Sequence, residues 1–180
     1  LAAAISAAVQ LKGVTHPEVV LPAYGCPDLV SASVFAGARP ILCDLEPGRP
    51  WMSLDQVSAH TGLQTVAIVA TNLFGISERM NRLRPIAEQA GAVLIEDSAQ
   101  AFPDHTETSL WDGDLVVLSF GRGKPVSLLG GGAVLFRDAD LGGLLPACDM
   151  QDRSGLRWRW TFRFSPALLD SAVAAISSSW

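Results

Sequence analysis

Residues 65–71 read Thr-Val-Ala-Ile-Val-Ala-Thr, and this stretch decides the fold class. It is apolar without polar–apolar alternation. A run of that length and pattern is a strand buried on both faces, as strands are inside a parallel sheet covered by helices. The residues that follow agree. Glu78 to Ala90 has helical spacing and Gly91 closes it as a C′ glycine. Ala92 to Asp97 (AVLIED) is then a second buried strand. Pro85 inside the helical segment removes a backbone hydrogen bond, which predicts a kink or an early break there.

The same alternation continues in both directions. Towards the N-terminus, Val19 to Tyr24 (VVLPAY) reads as a strand end followed by a loop. Pro27 to Ala38 has helical spacing, and Ile41 to Leu45 (ILCDL) is a strand. Ser53 to His60 is a short helix, with Ser53 able to cap it and Gln56 three residues on, as a capping box requires. Towards the C-terminus, Asp114 to Phe120 (DLVVLSF) and Gly130 to Phe136 (GGGAVLF) are strands. Strand–helix–strand repeats of this length predict an α/β fold, a three-layer α/β/α arrangement around a mostly parallel sheet. The region after Asp138 differs. It is rich in Arg and Trp between 157 and 163, and 166–176 reads as an apolar helix. Residues 1–138 are therefore taken as the main domain and 139–180 as an atypical helical C-terminal segment.

Composition narrows the function classes. The chain has 180 residues, 49% hydrophobic and 17% charged, which suits a buried globular core. Its net charge is −5 and it has no basic stripe, which argues against a nucleic-acid partner. Cys26, Cys43 and Cys148 are odd in number and far apart, as reduced thiols of a cytoplasmic protein would be. No two cysteines or histidines sit at ligand spacing, so structural zinc is not expected. The opening LAAAISAAVQLKG lacks the basic flank of a signal peptide and reads as a buried or amphipathic helix. No apolar run is long enough to span a membrane. The chain begins with Leu inside a helix, so it is expected to be a piece of a longer protein.

In parallel sheets ligands bind where strands stop. Three strand ends carry polar groups. Ile95-Glu96-Asp97-Ser98-Ala99-Gln100 delivers an acid to the end of a buried strand. An ionised carboxylate there needs a partner: a helix N-cap, a salt bridge, or a ligand cation such as a protonated pyridinium. Leu118-Ser119-Phe120-Gly121-Arg122-Gly123-Lys124-Pro125 carries a serine, then glycines, then a lysine. That lysine is either a surface residue of a hairpin or an amine poised to attack an aldehyde. The segment is not a Walker A loop, because Pro125 follows the lysine. Leu21-Pro22-Ala23-Tyr24-Gly25-Cys26 is either a plain connection or a support for a flat ligand. Order and spacing favour a joint role. If the strands of Asp97 and Ser119 are parallel neighbours, acid and amine meet at one sheet edge, as pyridoxal 5′-phosphate (PLP) requires.

At this point the sequence resembles the DegT/DnrJ/EryC1/StrS aminotransferases, PLP enzymes of fold type I that aminate keto-sugars. The segments VVLPAYGCPDLVSASVFAGARPILCDL, TVAIVATNLFG, AVLIEDSAQAF and DLVVLSFGRGKPVSLLGGGAVLF carry the resemblance, in that order. It implies that Lys124 is the Schiff-base lysine and that Asp97 holds the pyridine nitrogen protonated. It implies that Gln100 reaches the ring's 3′-oxygen and that Ser119 binds the cofactor phosphate. Cys26 stands where many members place an aromatic that stacks on the ring. The family's phosphate loop, a glycine-serine/threonine turn ahead of the first helix, does not occur in these residues, nor does the small C-terminal domain.

The implied activity is a ping-pong transamination, moving an amino group from an amino acid to a ketone, such as a nucleotide-linked keto-sugar. A homodimer is implied, because a second subunit normally completes such sites. A PLP sugar dehydratase of the same family would carry histidine at the Lys124 position. A relative that keeps the fold as a binding or assembly module is the alternative of another class.

Overall fold

The computed structural model describes residues 1–102 and 111–145 in full, together with the backbone of 150–151, 157–158, 161–162 and 172–176. The opening apolar segment forms helix α1 (Ala2–Lys12), closed by Gly13 in the left-handed region at φ 62°. Strand β1 (Glu18–Pro22), helix α2 (Asp28–Phe35) and strand β2 (Arg39–Cys43) follow. Helix α3 (Leu54–His60) is capped as its sequence predicts, Ser53 accepting a hydrogen bond from the Gln56 backbone N–H. The other half of the box goes elsewhere: the Gln56 amide pairs with the backbone and side chain of Asp44.

Strand β3 (Thr65–Thr71) is buried throughout its length. Helix α4 (Met80–Ala90) runs through Pro85 to a left-handed Gly91, without the expected break. Its buried stripe of Met80, Leu83 and Ala87 is anchored on the sheet, which outweighs one lost hydrogen bond. Strands β4 (Val93–Asp97), β5 (Leu115–Ser119) and β6 (Gly132–Phe136) complete the part of the sheet that bears on function. A short helix α5 (Ala139–Gly143) and strands β7 (Met150–Gln151), β8 (Arg157–Trp158), β9 (Thr161–Phe162) and β10 (Ala172–Ile176) follow.

The main sheet has the order β2-β1-β3-β4-β5-β6-β10-β9. From β2 to β5 every pairing is parallel; β6 and β10 add on in antiparallel fashion. The helical reading of 166–176 is corrected at Ala172–Ile176, which form β10; 166–171 lie outside the described residues. A short apolar run fits either element, and the open edge of β6 offers backbone partners that a helix would leave unpaired. The side chains of the Arg/Trp-rich 157–163 lie outside the described residues.

Two cores lie on either side of the sheet. On one face α1, α2 and α5 cover Val69, Ile95, Val117 and Val134. On the other α3 and α4 cover Val20, Ile68, Ala70 and Leu94. The three layers expected from the repeats are therefore present. Among the described residues no helix is long and apolar enough to cross a membrane.

Candidate functional site

Side chains alternate along a strand, so the end of each strand is assigned to a face by counting. Thr71 shares the parity of Val69, Asp97 that of Ile95, and Ser119 that of Val117, all on the α1 face. Glu96 shares the parity of Leu94 and faces the α4 layer. In the parallel register Thr71 lies opposite Asp97 on β3 and β4, and Asp97 lies opposite Val117 on β4 and β5. The carboxyl ends of three adjacent strands thus bring Thr71, Asp97 and Ser119 to one edge, on one face.

A cavity of about 690 Å³ opens at that edge. Its lining includes Asp97, Gln100, Ser119, Lys124 and Cys26, so the structure gathers all five residues singled out in the sequence. It adds Thr71 and Arg122, which sequence reasoning passed over, and Leu1 and Ala2 at the amino end of α1. First-turn N–H groups of a helix have no partners within the helix, which makes such an end receptive to an anion.

Asp97 is 7% exposed. Burial pushes its carboxyl above the usual aspartate range, opposed by the Ala99 N–H bond and the charge of Lys124. The Ala99 N–H donates to Asp97 Oδ1 at 3.0 Å. No ion pair holds Asp97 among the described residues.

Lys124 follows a tight turn. Its N–H donates to the Gly121 carbonyl at 3.3 Å, and Gly123 takes φ 74°, a left-handed conformation that glycine adopts freely. A methyl group built on Gly121 would lie 3.7 Å from Ser119 Oγ and 3.9 Å from Lys124 Cγ, so the two side chains flank that glycine. No carboxylate pairs with the Lys124 ammonium among the described residues. The antiparallel return starts at Gly132, opposite Ser119. A side chain there would drive its Cβ to 2.5 Å from the Leu118 carbonyl oxygen, so glycine alone fits.

Gln100 has its amide orientation fixed. The Phe74 N–H donates to Gln100 Oε1 at 3.0 Å, which leaves the –NH2 end to donate to a ligand. Phe74 itself adopts φ 58°, a left-handed conformation uncommon for a bulky residue. Its ring meets that of Tyr24 with centroids 6.2 Å apart. Cys26 is exposed and accepts the Leu29 N–H on its carbonyl at the start of α2.

The acid beside Asp97 has another task. Glu96 is fully buried and accepts from Asn72 Nδ2 (2.9 Å), Ser98 Oγ (3.2 Å), Trp111 N (2.8 Å) and Gly113 N (3.0 Å). Asn72 in turn accepts the Glu78 N–H and donates to Ser98 Oγ. This network braces the turn after β3 and the turn after β4 from behind the site. Among the described residues no group of histidines, cysteines and carboxylates is arranged to hold a metal ion.

The sequence profile of the DegT/DnrJ/EryC1/StrS aminotransferase family matches residues 2–151, past the limit at Asp138 expected from sequence. The chain is 33% identical over 127 residues to the L-glutamine:2-deoxy-scyllo-inosose aminotransferase of Streptomyces kanamyceticus, covering 67% of this chain and 29% of that protein. It is 33% identical over 139 residues to the dTDP-3-amino-3,4,6-trideoxy-alpha-D-glucose transaminase of Micromonospora megalomicea subsp. nigra, covering 75% and 37%. Among solved structures, DesI in the presence of its TDP-sugar product superposes with a TM-score of 0.66 at 29% identity, covering 78% of this chain and 37% of that one. The chain thus spans about a third of the length of the curated relatives it matches.

Proposed function

The chain belongs to the DegT/DnrJ/EryC1/StrS aminotransferase family, and on that footing we propose that it carries the PLP site of an aminotransferase. The carrying observation is the meeting of Asp97, Gln100, Ser119 and Lys124 in one cavity at the carboxyl edge of adjacent strands. These residues fit the cofactor. Among the described residues the buried Asp97 has no ion-pair partner, and PLP brings a cation on its ring nitrogen. Thr71 Oγ1 is buried without a partner, as expected of a wall that meets a polar ligand.

When bound, PLP supplies an aldehyde that condenses with amines and a ring that draws electrons from the attached carbon. The chain's own residues do the rest in this reading. Asp97 keeps the proton on the ring nitrogen. Ser119 Oγ and the amino end of α1 hold the phosphate. The free –NH2 of Gln100 donates to the ring's 3′-oxygen. Cys26 lies against the ring face, with less stacking surface than an aromatic would give. Lys124 Nζ would anchor the cofactor through its aldehyde, and its amine, when free, would carry the proton from the amino-bearing carbon of the donor to the carbon of that aldehyde.

The amino acceptor in this reading is a ketone on a polyhydroxylated ring, free or nucleotide-linked, as the names of the relatives suggest. The donor is glutamate or glutamine. A second copy of the chain completes the site. Tyr24 and Phe74, 59% and 66% exposed beside Gln100, are apolar surface that such a copy would cover. A cytoplasmic setting goes with this reading, supported by Cys26 and Cys43 standing as free thiols.

The test is spectroscopic. Addition of PLP to the purified protein should give a visible absorbance band that borohydride traps as a covalent adduct and that Lys124→Ala abolishes. A folded wild-type protein with no band and no adduct would refute the proposal.

A further inference from the structure

Thr71 ends β3 with a hydroxyl that no described residue uses. The residue is 5% exposed, and its Oγ1 is buried without a hydrogen-bond partner. Nearby threonines behave otherwise: Thr61 Oγ1 donates to the Val57 carbonyl at 2.7 Å, and Thr65 Oγ1 accepts the Gly62 N–H at 2.9 Å. A buried hydroxyl left unpaired is costly, so valine would be the expected residue at a purely structural position. Yet Thr71 lines the cavity, on the same face as Asp97 and opposite it in register.

The sheet order says which edge of a ligand Thr71 meets. Asp97 is on β4. Ser119 and the glycine-rich return lie to one side of it, on β5 and β6, and Thr71 lies to the other, on β3. In PLP the phosphate arm and the phenolic oxygen leave the ring on opposite sides of the line from nitrogen to aldehyde. A ring with its nitrogen at Asp97 and its phosphate towards Ser119 therefore turns the phenolic oxygen towards β3. Gln100 agrees independently, since the turn after β3 fixes its amide through Phe74 N. We propose that Thr71 is a further cofactor-contacting residue, its hydroxyl donating to the phenolic oxygen of the ring. The inference rests on the PLP reading above.

The test compares Thr71→Val, which removes the hydroxyl at constant shape, with Thr71→Ser, which keeps it. Dissociation constants are measured for PLP and for 3-deoxypyridoxal 5′-phosphate, which lacks the phenolic oxygen. Thr71→Val should weaken PLP binding roughly two- to tenfold, the worth of one hydrogen bond. It should leave binding of the deoxy analogue unchanged, and Thr71→Ser should restore PLP binding. The pH midpoint of the visible band should also rise in Thr71→Val, because a donor to that oxygen favours the deprotonated form. An equal loss with both ligands, or no loss with either, overturns the inference. A wild-type protein that binds no PLP refutes instead the reading on which it rests.

Discussion

Glu96→Gln is the sharpest probe of how the site is held, because the substitution changes one atom of a fully buried side chain. Glu96 Oε1 accepts from Asn72, Ser98 and Trp111, and Oε2 accepts from the Gly113 N–H. An amide has one oxygen. If it keeps the three bonds at Oε1, its –NH2 faces the Gly113 N–H, and a buried donor is left against another donor. That loss alone costs about 1–3 kcal/mol. The three surviving bonds lose their charge assistance, which is worth roughly half their strength, or about 2–4 kcal/mol together. Burying an amide instead of a carboxylate recovers part of this. The net expectation is about 3 kcal/mol of lost stability, a large share of the ~5–15 kcal/mol typical of a domain. Equilibrium urea unfolding measures it. At low denaturant the variant should still bind PLP and show the visible band, because Glu96 faces away from the cavity. A Glu96→Gln protein as stable as wild type would refute the network account. A folded variant that has lost the band while keeping its stability would show that Glu96, not its neighbour, serves the cofactor.

Two further outcomes are expected. Gly132→Ala should push a Cβ to 2.5 Å from the Leu118 carbonyl oxygen, separating β5 from β6 beside Ser119; weaker PLP binding together with a lower melting temperature is expected, and unchanged values of both would show that the strands give way freely. Burial raises the Asp97 carboxyl above the ordinary aspartate value of 3.8. That contribution to stability is present below the unfolded value and is lost as pH rises through the raised one. Asp97→Asn should therefore melt higher than wild type near neutral pH when PLP is removed, with the gap closing as the pH is lowered towards 3.8. A gap independent of pH would contradict this.

The sheet was legible because its central strands are short apolar runs without alternation, and glycines such as Gly91 mark where helices end. That Asp97, Gln100, Ser119, Lys124 and Cys26 share one cavity was legible through their order along the chain and through family resemblance. Periodicity alone does not separate a strand from a helix in a short apolar run, and so Ala172–Ile176 was misread. Pro85 does not break α4, because tertiary burial decides whether a helix survives one missing bond. Thr71 went unnoticed because a threonine suits a strand well. The signal was there: a polar residue closes the apolar run 65–71, and it shares a face with the acid that closes the next strand.

The two consecutive acids show why register carries the chemistry. Glu96 and Asp97 differ by one position, and alternation sends one to the α4 layer and the other to the cavity. A slip of one residue in β4 would exchange them, placing a carboxylate on a longer arm at the site and a shorter one in the brace. Several contacts oppose that slip. Glu96 gathers donors at fixed places on β3's turn and ahead of β5. Gly113 packs so closely that an added Cβ would lie 2.8 Å from Glu96 Cβ and 2.6 Å from the Leu115 carbonyl oxygen. The Arg84–Asp114 ion pair ties the start of β5 to α4, and Asp114 Oδ2 accepts the Leu94 N–H of β4 itself. Each of these lies behind the sheet or at its amino-terminal side, out of reach of a ligand. Together they fix which acid faces the cavity. The position of Asp97 at the site is therefore a property of the whole β4–β5 junction, and substitutions at Gly113 or Asp114 that shift β4 against β5 should reach the cofactor through register rather than through contact.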